Sequence, residues 1–116
     1  MTAQGCELLG EIRYGRDLSF EQVAELEARL RDRTQELLAD MAPAWAEFST
    51  TGDDLRFIAS LPDSDPEALL RFCGELRGLL DPEGRGRLVA VATGFGPVRS
   101  WVFWPGGVNV AQLLCE

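Results

Sequence analysis

The run Ala46-Glu47-Phe48-Ser49-Thr50, Thr51-Gly52-Asp53-Asp54, Leu55-Arg56-Phe57-Ile58-Ala59-Ser60-Leu61 decides how the rest of the chain is read. Ala46, Phe48 and Thr50 alternate with Glu47 and Ser49, and Leu55, Phe57, Ala59 and Leu61 alternate with Arg56 and Ser60. A period of two marks strands with one buried face. Thr51 to Asp54 is turn chemistry, because glycine accepts positive φ and aspartate bonds its own backbone. The stretch reads as a β-hairpin. The rival reading carries the preceding helix past Pro43 with a kink and leaves residues 55–61 as a lone strand, so residues 44–50 are strand in one reading and helix in the other.

Upstream, Ser19-Phe20-Glu21-Gln22 has the spacing of a capping box. Phe20, Val23, Leu26, Leu30, Leu37 and Met41 then trace one apolar stripe among Glu, Arg, Asp and Gln, which predicts a long half-buried helix ended by Pro43. Before it, residues 6–14 suit a strand with Leu8, Ile12 and Tyr14 on one parity, although Gly5, Gly10 and Gly15 punctuate it.

Downstream, Asp65-Pro66-Glu67 predicts a second helix start, with an N-cap aspartate and proline at the first helical position. Leu69, Phe72, Cys73, Leu76, Leu79 and Leu80 supply its apolar stripe, and Arg77 stands on the opposite face. Asp81-Pro82-Glu83-Gly84 is a turn. Strands are expected at residues 87–93, 99–104 and 108–115, reversed by Gly94-Phe95-Gly96-Pro97 and Pro105-Gly106-Gly107. The order predicts a single α+β domain over residues 1–116: a two-layer sandwich with a ferredoxin-like β-α-β-β-α-β core, extended by a C-terminal β-hairpin.

The composition excludes more than it assigns. The 116 residues include no histidine, and all 11 basic residues are arginine against 19 acids, a formal charge of −8. Histidine triads, histidine metal ligands, Schiff-base lysines and the phosphate-loop lysine are all ruled out. So acidic a chain repels phosphate backbones, and no nucleic-acid partner is expected. Arg29, Arg31 and Arg33 are interleaved with acids and read as a solvated helix face. Cys6, Cys73 and Cys115 form no CxxC pair and read as structural. With no secretory signal or membrane-length apolar run, the expectation is a cytoplasmic protein without membrane partner, metal or cofactor.

Motifs with potential chemistry have plain structural readings. Asp63-Ser64-Asp65 matches only the first two acidic positions of a calcium loop and suits helix capping better. Gly84-Arg85-Gly86-Arg87 and Gly94-Phe95-Gly96-Pro97 lead into strands, so no helix dipole faces a phosphate there. Arg85 and Arg87 could nevertheless grip an anion as a fork.

The candidate site comes from residues 99–107. In a strand, Trp101 and Phe103 face one way while Val102 and Trp104 face the other, so both sheet faces carry large apolar groups. Either Trp45 or the C-terminal tail covers the second face locally, or the patch is an interaction surface, which Val89, Val91, Val108 and Val110 can join. The reading is a small acidic non-enzymatic protein-binding module, chaperone- or inhibitor-like, and a homodimer. It takes a protein or peptide partner, for which a basic one suits the charge, through Trp101, Phe103, Trp104, Arg99 and Tyr14. The alternative is a hydrophobic-ligand domain or cofactor-free enzyme with its pocket at a dimer interface. No catalytic residue is assigned.

Overall fold

A computed structural model describes residues 5–63 and 65–113. The elements run β1 (Cys6–Arg13), α1 (Phe20–Ala39), β2 (Trp45–Thr50), β3 (Asp54–Leu61), α2 (Pro66–Arg77), β4 (Arg85–Ala92), β5 (Val98–Trp104) and β6 (Gly107–Leu113). The strands form one sheet in the order β2-β3-β1-β4-β5-β6, each antiparallel to its neighbours. Two helices and this sheet make an α+β domain.

The hairpin reading holds. Residues 45–50 are strand, Gly52 turns with φ +91°, and Phe48 lies opposite Phe57. α1 stops before Pro43, capped by Asp40, and Ala42 takes φ +51° to reverse the chain. Proline disfavours right-handed helix in the residue before it, which removes the kinked-helix alternative. Ala44 N–H then bonds the Ser60 carbonyl at 2.8 Å and starts the ladder.

Both helix starts follow the sequence. Ser19 Oγ accepts from Gln22 N–H at 3.1 Å, and Gln22 Oε1 accepts from Ser19 N–H at 2.8 Å. Asp65 caps α2 by accepting from Glu67 N–H at 3.0 Å. The α1 stripe differs in detail. Phe20, at the first helical position, is 90% exposed, and the buried positions are Leu26, Leu30, Thr34 and Leu38. Thr34 enters the apolar face because its hydroxyl bonds the Leu30 carbonyl at 2.6 Å, satisfying the donor within the helix. In α2, Leu69, Phe72, Cys73 and Leu76 are buried, with Leu79 and Leu80 packed beside them. Arg77 is a correction. It is half-buried and donates to the Pro105 carbonyl at 2.7 Å, tying α2 to the β5–β6 turn.

Alternate residues of β1, β3, β4 and β5 meet these helices in one core, whereas on the edge strand β2 Ala46 and Thr50 are exposed and Phe48 alone is half-buried. Leu8 lies between Ala59 and Ala90, and Ile12 between Leu55 and Gly86. Two glycines make room for rings there. A Cβ on Gly10 would come within 2.0 Å of the Phe57 ring, and one on Gly86 within 2.0 Å of the Phe103 ring. Phe57 also packs on Phe48 and Phe72, with ring centroids 5.7 and 5.9 Å apart. Leaving the strands bare at these points lets aromatic volume cross the sheet instead of standing away from it.

Candidate functional site

Both helices pack against one face of the sheet, so the residues of opposite parity form the other face. The register arranges them in rows across the strands. The central row is Glu47, Ile58, Leu9, Val89, Ser100 and Ala111; beside it run Trp45, Ser60, Glu7, Val91 and Val98. On the other side stand Ser49, Arg56, Glu11, Arg87, Val102 and Asn109. Leu9, Trp45, Ile58, Val91 and Val102 are each 37–45% exposed, a group of large apolar side chains left facing outward. A depression of about 460 Å³ lies among Leu9, Ile58, Val89, Glu11, Arg56 and Arg87.

The electrostatics of this face are ordered. Glu11 stands between Arg56 at 4.0 Å and Arg87 at 3.5 Å, and Arg56 reaches Asp54 at 3.2 Å. Asp54 is buried at the strand end, where desolvation works to raise its pKa. Hydrogen bonds from Thr51 Oγ1 at 2.8 Å and from Arg56 outweigh the desolvation and hold the carboxyl below its ordinary value. Four acids (Glu7, Glu11, Glu47, Asp54) face the same way as four arginines (Arg13, Arg56, Arg85, Arg87). The face is therefore neutral by count, and the formal charge of −8 lies outside it.

The structure separates the five residues singled out from sequence. Trp101 and Phe103 are each 1% exposed, and Tyr14 is also buried. Trp101 lies beside Leu88, and Phe103 fills the space over Gly86, on the helix-covered face where α2 packs against β4, β5 and β6. Arg99 shares that face, opposite Ala90, and stands near enough to Cys6 to oppose the rise in its pKa. Trp104 alone belongs to the uncovered face, half-buried over the turn glycines 106 and 107. Val108 and Val110 pair with Phe103 and Trp101 and fall on the helix side, whereas Val89 and Val91 are on the open one.

Leu9, Ile58 and Val102 carry the open face, and the alternation pattern passed over Leu9 and Ile58. Each directly follows a core residue, Leu8 or Phe57, so the signal was two adjacent apolar residues within an alternating strand.

The thiols belong to the core. Burial pushes Cys73 up to about 12, and burial, Glu7 and Asp63 push Cys6 up, so neither is a ready thiolate. Cys115 lies outside the described residues. Tyr14 carries a buried hydroxyl without a hydrogen-bond partner among the described residues; burial, with Glu27 adding to it, raises its pKa far above the phenol range. Among the described residues, no helix is long and apolar enough to cross a membrane. Comparison with protein-family profiles and with curated proteins found no match.

Proposed function

We propose that the chain is a non-enzymatic protein-binding module that pairs with a second copy of itself through the open sheet face. One observation carries this reading: the uncovered face is at once apolar and charge-balanced in a chain of charge −8. Elsewhere two copies repel; here they do not. Glu11 between two arginines supports a two-fold arrangement, since rotation can bring the carboxylates of one copy against the guanidiniums of the other. A neutral face gives a basic partner no electrostatic advantage, so the second copy is the occupant favoured. The same proposal takes the first four strands and two helices as a ferredoxin-like core. Its support is that β3 lies between β2 and β1, and β1 between β3 and β4, with β5 and β6 added beyond β4.

Sedimentation of wild type and of Leu9→Arg, Val102→Arg and Phe20→Arg tests the pairing. Wild type and Phe20→Arg, whose substitution is off the face, are expected at dimer mass at micromolar concentration, and the other two at monomer mass. A wild-type monomer at tens of micromolar overturns the proposal. The second reading, a hydrophobic ligand enclosed at the interface, is favoured by the depression of about 460 Å³, which a second copy would roof over. It requires a bound small molecule to co-purify with the dimer.

A further inference from the structure

We propose that the sheet end where β1 leaves and β4 enters binds a phosphate-bearing small molecule through Arg13, Arg16 and Arg85. Arg13 and Arg85 lie directly opposite each other on neighbouring strands, both on the open face. Like charges so placed destabilise a sheet, so the pair is held together at a cost. Arg13 also faces Asp54 on β3 and helps to keep it ionised, although that carboxylate takes its hydrogen bonds from Thr51 and Arg56. Arg16 follows on the loop after β1. Among the described residues, none of the three makes an ion pair within 4.0 Å, whereas Arg31, Arg33, Arg56 and Arg87 all do.

The loops carrying these arginines are fixed to each other. Asp81 accepts Gly15 N–H on both carboxylate oxygens, at 3.1 and 3.2 Å, and Glu83 N–H at 3.3 Å. Its carbonyl accepts from Gly84 N–H at 2.8 Å. A Cβ on Gly15 would stand 2.2 Å from Asp81 Oδ2, and one on Gly84 would stand 2.7 Å from Oδ1. Glycine at both positions lets the two segments close around one carboxylate. They enclose a hollow of about 360 Å³ lined by Arg13, Tyr14, Gly15, Arg16, Glu83 and Arg85.

Charge and shape choose the ligand. Three guanidiniums against the Glu83 and Asp81 carboxylates leave one positive charge in excess, so the hollow favours an anion. Planar guanidinium forks suit phosphate oxygens in pairs. The hollow is of the size that holds a small ligand rather than a bare ion. Arg13 and Arg85 also belong to the end of the open face, but the hollow is formed within one chain and survives if the chain is a monomer.

Thermal unfolding in inorganic phosphate, at ionic strength held constant with chloride, is the test. Phosphate is expected to raise the wild-type Tm saturably. Arg85→Gln and Arg16→Gln are expected to weaken the apparent affinity about tenfold or more, and Arg71→Gln on α2 to leave it unchanged. Without phosphate, Arg85→Gln is expected to melt higher than wild type, because Arg13 loses a like-charged neighbour. A residue needed only for folding would melt lower. If Arg16→Gln does not fold, Arg13→Gln replaces it. Equal shifts from phosphate and chloride, or wild-type phosphate affinity in Arg85→Gln, overturn the proposal.

Discussion

The ring of Phe57 occupies the space that any side chain at position 10 would fill: a Cβ on Gly10 would lie 2.0 Å from its Cζ. Phe57 is held there from two other sides, by Phe48 and Phe72, so it has no room to withdraw. Gly10→Ala is expected to destabilise the fold by about 1–3 kcal/mol or more through overpacking. Urea melts check this, and a change within the error of the melt would mean the ring moves freely.

Arg77 joins α2 to the β5–β6 turn by a 2.7 Å bond to the Pro105 carbonyl. A hydrogen bond to a charged group is worth about 1.5–3 kcal/mol, so Arg77→Ala is expected to cost in that range. Arg71→Ala, on the exposed side of the same helix, is expected to cost less than about 0.5 kcal/mol. Phe72→Ala in the core is expected to cost about 3–5 kcal/mol. Equal denaturant midpoints for Arg77→Ala and Arg71→Ala would contradict the tie.

These positions show what alternation conveys and what it leaves out. The strand alternation at residues 46–61 and the stripe Leu69, Phe72, Cys73, Leu76 placed a hairpin and a helix, because burial of one face imposes a period. Thr34 broke the stripe on α1, since an internal hydrogen bond let a hydroxyl occupy an apolar position. Between residues 101 and 104, alternation puts Trp101 with Phe103 and Val102 with Trp104, but both pairs are apolar. Which pair is covered depends on where α2 crosses the sheet, and on Gly86 making room for Phe103. The Arg13–Arg85 juxtaposition needs the register of strands 72 residues apart, which no local pattern contains.

Asp54 gives the fold an acid sensitivity of known sign. Its pKa in the fold lies below the value of about 4 of an unfolded aspartate, because Thr51 and Arg56 hold the ionised form. The ionised group therefore stabilises the fold above the unfolded value, and that contribution is lost as pH falls through the folded one. Asp54→Asn is expected to lower Tm most near about pH 7, with the gap to wild type closing in strong acid. A gap that does not change with pH would assign the effect to packing instead of charge.

The pairing of two open faces is tested most directly by the accessibility of one tryptophan. Trp45 is 44% exposed on that face, whereas Trp101 is in the core. In a Trp104→Phe background, acrylamide quenching reports chiefly on Trp45. Quenching is expected to be strong at nanomolar protein and to weaken as the concentration rises through the micromolar range. The midpoint is expected where sedimentation shows the mass doubling. A quenching constant that is the same across that whole range would contradict it.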